Sequence, residues 1–323
     1  MNNNQTNKKT FEKRSIYRHD DSGKVFLACL IIPLAISILI SVIIAQIANQ
    51  RDIEPTEITS NMWFLTGYAI LNFIIYISIY LIYNKVCEIE YKAVNLKFKM
   101  PWHTYFIIIA VGIISLFGIQ YFIGAVDNLL ALIGFPLQEG TSINPTDFGT
   151  FMLAVFVLAL LPAIAEELIF RGIIFNGLRT KFNETGAILI SAIMFSLMHG
   201  SFQQFVYPFI LGSIMAWLVI RTGSIFSSML VHFINNFLVV MFAYIQNATG
   251  WSMSLPGEWW FYLIALALLF VTAGILIIID KYYFKHQSKE QVEIQKGRTS
   301  PYIYVSIIVA VIILIVNTIT LFA

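Results

Sequence analysis

Glu166, Glu167 and Arg171 interrupt an apolar run that begins near Phe148 and is otherwise free of charge up to Leu178. Ionised groups at membrane depth cost about 2.5–3.5 kcal/mol each on insertion scales, a cost normally borne for function. Helical spacing sorts the three. Glu167 and Arg171 are four apart and share a face, where they can pair. Glu166 points about 100° away, so one carboxylate has a built-in partner and the other is free for chemistry. Three more polar groups follow in apolar surroundings: His199, four after Phe195, then His232 and Asn236, four apart on one helix face. Together they offer a carboxylate and imidazoles as general bases, and an amide and imidazoles as donors to a developing oxyanion. No serine or cysteine stands in a nucleophile motif; Ser191 and Ser196 look like ordinary helix serines.

The elements that must position these groups are membrane helices. Of 323 residues, 58% are hydrophobic and 12% charged, with mean hydropathy +0.78, which excludes an ordinary soluble domain. The expected fold is all-α, a polytopic transmembrane bundle of about 8–9 spans, placed near 25–48, 63–83, 104–126, 148–178, 185–199, 204–220, 225–246, 260–280 and 302–322. Residues 1–24 read as a solvated polar tail, 25–147 as amino-terminal spans, 148–246 as the catalytic core and 247–323 as carboxyl-terminal spans. The first apolar run is too long for a signal peptide's core, so an uncleaved helix is expected. With the amino terminus cytoplasmic, 18 Lys and Arg fall in inside segments and only Arg51 outside. One span more or fewer would scramble that asymmetry, so the amino terminus is read as inside and the carboxyl terminus as outside. Cys29 and Cys87 provide neither a disulfide framework nor a metal spacing.

Each polar group alone has a structural explanation: a membrane histidine or asparagine often only joins helices, and the Glu167–Arg171 pair reads as a neutralised brace. Their joint occurrence on three of the four spans in 148–246 points to a site, as do Pro162 and Pro208. Each proline removes a helix hydrogen bond and permits a kink.

In order, Glu166-Glu167-x-x-x-Arg171, Phe195-x-x-x-His199 and His232-x-x-x-Asn236 resemble the motif set of the CPBP family. These are the CAAX-processing and bacteriocin-processing intramembrane proteases, also called Abi proteins. The resemblance covers 148–246 and implies an intramembrane endopeptidase. It makes Glu166 the water-activating residue with His199 as partner, His232 and Asn236 the oxyanion side, and Glu167 and Arg171 supports. Two histidines and a glutamate could also bind Zn²⁺. However, HExxH is absent and the ligands would come from three separate helices, so no metal and no other cofactor is expected. The expected partners are the lipid bilayer and a membrane-associated peptide or protein substrate, with no nucleic acid. The Ile/Asn/Lys-rich composition suits a bacterial plasma membrane. Bacterial relatives of the family are linked to peptide maturation, bacteriocin immunity and surface-protein display. The alternatives are a transporter or proton-relay protein, and a non-catalytic scaffold or immunity protein of the same family. Counting from the expected span ends puts Glu166 and His232 in the inner half of the membrane, predicting access from the cytoplasm. His199 fits that depth less well.

Overall fold

Backbone polar groups must be satisfied within the chain in hydrocarbon, so long apolar runs fold as helices. The computed structural model describes residues 14–98, 100–137, 143, 145–250, 259–284, 294 and 297–322. Among these the architecture is all-α: α1 (His19–Arg51), α2 (Met62–Val86), α3 (Trp102–Leu132), α4 (Phe148–Arg179), α5 (Glu184–Met198), α6 (Val206–Thr222), α7 (Ile225–Thr249), α8 (Trp259–Tyr282) and α9 (Pro301–Thr320). The only β pairing among the described residues is an isolated bridge between Arg14 and Ile89. The helices fall where the nine spans were expected. Seven are long and apolar enough to cross a membrane by length and composition, whereas α5 and α6 have only 15 and 17 residues.

Two expectations change. The polar tail does not reach residue 24, because α1 begins at His19 and its first turn is packed. Asp21 accepts from the Arg18 amide at 2.7 Å, the Tyr83 hydroxyl at 2.6 Å and the Arg14 guanidinium at 2.5 Å. A capped and paired carboxylate can be buried, as an isolated one cannot. Residues 1–13 lie outside the described residues, as do Lys99, Lys285, Lys289 and Lys296 of the charge count and the loop 251–258. The second change concerns α4, which is not uniformly α-helical. Val155–Leu160 and Leu168–Phe175 are π-helical on either side of Leu161–Glu167. Pro162, with no N–H for the Leu158 carbonyl, lies just after the first π stretch.

The bundle closes around α4. Ser22 on α1 donates to the Ile174 carbonyl at 2.7 Å. Gly177 lets the two backbones meet: a Cβ there would come within 2.5 Å of the Arg18 carbonyl. Gly23 does the same between α1 and the start of α9, where any side chain would overlap the Tyr302 backbone. Small residues at such crossings are the usual device where lipid removes the hydrophobic drive between helices. The largest buried cluster gathers Phe26, Phe170, Ile173, Ile174, Phe175, Met194, Phe195, Met215 and Val231 from α1, α4, α5, α6 and α7. A smaller one, around Ile143, Ala154, Val157, Leu161 and Val240, lies toward the other end of α4.

Candidate functional site

Glu167 is the buried centre of the site. Its side chain is 0% exposed and its Oε1 accepts from Arg171 Nη1 at 2.7 Å, the pairing the i,i+4 spacing predicts. The same oxygen lies 3.0 Å from His232 Nδ1 on α7. An ionised carboxylate only accepts, so His232 carries a proton on Nδ1. Its Nε2 then faces Glu166, whose Oε2 is 4.0 Å away. His232 therefore stands between two carboxylates, fixed by the buried one and aimed toward the one that is 17% exposed. Sequence reasoning made Glu167 a brace for its own helix; the structure shows that it also orients an imidazole from another helix.

Arg171, 1% exposed, is held on three sides. Besides Glu167 it donates from Nη2 to the Gly212 carbonyl on α6 at 3.0 Å, and it lies over the Phe195 ring at 4.6 Å. Gly212 permits this approach, because a Cβ there would sit 3.2 Å from the Phe195 ring and 3.3 Å from Arg171 Nη2. Phe195 is the hub between the imidazoles. Its ring meets Phe170 at 5.0 Å, His199 at 5.1 Å and His232 at 5.9 Å, each near perpendicular. Edge-to-face contacts of this kind fix ring orientation. The Phe195 carbonyl also lies 2.9 Å from His199 Nδ1. A carbonyl only accepts, so His199 donates from Nδ1 and keeps Nε2 as its basic atom. His199 caps the end of α5 and is exposed.

Asn236 lies on the same α7 face as His232. Its Nδ2 donates to the Leu158 carbonyl at 3.1 Å, the acceptor that Pro162 cannot serve. Thus Asn236 ties α7 to α4 at the proline. Its neighbour Asn235, absent from the sequence-derived set, is fully buried. It accepts from the Tyr207 hydroxyl at 2.6 Å and donates to the Gly112 carbonyl at 3.1 Å, fixing the rotation of α7 between α6 and α3. Two adjacent amides in an apolar helix were the available signal, since only one can face the site.

The structure thus joins Glu166, Glu167, Arg171 and His232 directly, His199 through Phe195, and Asn236 through the α4 backbone. Among the described residues, no group of three His, Cys, Asp or Glu side chains is placed to hold a metal ion. Along its own helix His232 lies 7 residues, ~10 Å, from Ile225. Counted from the Arg179 end, Glu166 lies 13 residues in, ~20 Å, and His199 lies 15 from Glu184, ~22 Å.

Residues 148–238 match the family described as "Type II CAAX prenyl endopeptidase Rce1-like". The UPF0177 protein YxdF of Lactococcus lactis is 28% identical over 126 residues, 36% of this chain and 69% of that protein. YdiL of Bacillus subtilis, provisionally named a membrane peptidase, is 34% identical over 90 residues, 28% of this chain and 37% of YdiL. YyaK, an uncharacterized protein of the same organism, is 26% identical over 209 residues, 60% of this chain and 66% of YyaK. No solved structure matches. The matches agree with the resemblance read from the three motifs: residues 148–238 of this integral membrane chain are similar to the Rce1-like family.

Proposed function

We propose that this chain, with its Rce1-like module at 148–238, is an intramembrane endopeptidase of a bacterial plasma membrane. It hydrolyses a peptide bond of a membrane-associated peptide or protein with a water activated by Glu166, without a metal. The observation that carries this reading is the asymmetry of the two carboxylates. Glu167 is consumed by Arg171 and His232, whereas Glu166, one residue earlier, is partly exposed and faces His232 Nε2 at 4.0 Å. That spacing is longer than a hydrogen bond and suits one bridging water.

The step follows from these positions. Glu166, assisted by His199 Nε2, takes a proton as the water oxygen bonds to the carbonyl carbon. The negative charge moves to the carbonyl oxygen. His232 stabilises it as the imidazolium, its Nδ1–H held by Glu167 and its Nε2–H left to donate, together with Asn236, whose Nδ2 has two hydrogens, of which Leu158 takes one. Collapse breaks the C–N bond, and the proton held by the carboxyl goes to the departing amine. The substrate is a peptide at the membrane, prenylated or not.

The test uses purified protein in lipid nanodiscs with membrane peptides, read by mass spectrometry. Glu166→Gln, His199→Ala and His232→Ala should each abolish cleavage, and a chelator should leave the wild type active. Full activity in Glu166→Gln would sink the mechanism; loss with the chelator that Zn²⁺ restores would replace it with a metal one. His232 between two carboxylates also has the form of a proton relay. A transporter of that kind would move protons and cut nothing.

A further inference from the structure

The two short helices carry information about access. Arg221, near the end of α6, ion-pairs with Glu184 at the start of α5 at 3.9 Å and with Asp280 near the end of α8. This charged knot marks one membrane boundary for the α5–α6 hairpin, and it is the inner one by the distribution of Lys and Arg. From there α5 rises ~22 Å and α6 descends ~25 Å, in a hydrocarbon core of about 30 Å. The turn at 199–205 therefore stops short of the outer boundary. Asn317 on α9 confirms the level, since its Nδ2 donates to the Gly200 carbonyl at 2.8 Å and it stands 16 residues, ~24 Å, above Pro301.

Irregular backbone at membrane depth is tolerated only where protein buries it or water reaches it. Here His199, Phe202 and Gln204 are exposed, Gly200 turns the chain at φ +63, and Gln203 bonds Asp127 on α3. The opposite side of the site is sealed. Phe170, Ile173, Ile174 and Phe175 on α4, and Ser228 and Val231 on α7, are all buried. The segment before α3 closes over the start of α7, where the Ile225 amide donates to the Asn95 carbonyl at 3.1 Å and Ser224 Oγ to the Lys97 carbonyl at 2.6 Å.

We propose that the site opens outward, through a water-filled vestibule above the tip of the α5–α6 hairpin, and that it takes an extended peptide segment presented from the extracytoplasmic side. The substrate is then a translocated or outer-leaflet peptide rather than a cytoplasmic tail. This rests on the proteolytic reading for what happens to the peptide, and it reverses the side expected from helix depths alone.

The test is thiol labelling, which does not depend on cleavage. In a Cys29→Ala, Cys87→Ala background, Phe202→Cys and Gln204→Cys each place a thiol on the tip, and Ser228→Cys places one beneath His232. An anionic, membrane-impermeant thiosulfonate is applied to right-side-out and inside-out vesicles. Either tip variant should react in right-side-out vesicles only, and Ser228→Cys in neither. Tip labelling only in inside-out vesicles, tip thiols inert in both, or ready labelling of Ser228→Cys from the inside would each overturn the proposal. Outward labelling of a chain that cuts no peptide would sink the protease reading and leave the vestibule standing.

Discussion

The two halves of α4 belong to one long apolar helix and have opposite surroundings. Toward its start, Phe148, Met152, Phe156 and Leu160 are exposed at a spacing of four, so one face looks out of the bundle. Past the proline, every residue from Ile169 to Phe175 is buried. The paired charges lie where the second environment begins. A packed region can hold Glu167 and Arg171 because α5, α6 and α7 supply partners from all sides. An open region can leave Glu166 able to meet a substrate. Placing the two carboxylates one residue apart at this border gives one a structural task and, on the proposed mechanism, leaves the other for chemistry.

Breaking the buried pair is the largest effect expected. Arg171→Ala leaves Glu167 with His232 and Ser228 but without its guanidinium, and removal of one partner of a buried pair costs about 3–5 kcal/mol. Thermal unfolding in detergent should show a large loss for this variant and almost none for Glu166→Gln, which leaves the bonds of Glu167 to Arg171 and His232 in place. An Arg171→Ala protein as stable as wild type yet inactive would move Arg171 into the chemistry.

The same border can be sharpened without charge. Phe170 is buried against Phe26 at 6.1 Å and Phe195 at 5.0 Å, whereas Phe156 is exposed. Phe170→Ala should cost about 3–5 kcal/mol through the cavity it leaves, and Phe156→Ala should fall within about 0.5 kcal/mol of wild type. Equal losses in chemical denaturation would mean that α4 is packed evenly along its length.

The helix positions and the Glu167–Arg171 pair were legible in the sequence because both depend on local rules, apolar run length and i,i+4 spacing. The motif order also identified which helices would converge. What spacing could not show is contact between helices. Nothing local says that Glu167 Oε1 reaches His232, that Phe195 separates the two imidazoles, or that Gly212 admits the Arg171 guanidinium. Each depends on how α5, α6 and α7 are rotated, and Asn235 sets much of that rotation through bonds to α3 and α6. The polar start of α1 was misread for a related reason: burial of Asp21 depends on Tyr83, 62 residues away.

Asn236 lies on the border itself, and a double variant can divide its roles. Asn236→Ala should slow cleavage about 10²–10³-fold if the amide also donates to the oxyanion. It should also lower stability, because the Leu158 carbonyl loses its donor. Pro162→Ala restores an N–H for that carbonyl. The pair of changes should therefore be less destabilising together than their sum, with a coupling of about 0.5–3 kcal/mol. Recovery of stability without recovery of rate would assign Asn236 to the reaction; recovery of both would assign it to the kink.

The smallest effect belongs to the open end. Asp147 caps α4, and its Oδ1 accepts from the Gly149 amide at 2.8 Å and the Thr150 amide at 3.0 Å. The Thr150 backbone N–H chiefly holds its carboxyl below the usual aspartate range. A depressed folded pKa contributes stability that is complete above the unfolded value, about 4, and that is lost as pH falls through the folded one. Asp147→Ala should therefore melt slightly below wild type at neutral pH, and the difference should shrink as the buffer is taken below about pH 4. The other end of α4, tied down by Ser22 and Gly177, should show no such dependence in a Ser22→Ala variant. A gap between Asp147→Ala and wild type that widened in acid would mean that the carboxylate is held by something other than these amides.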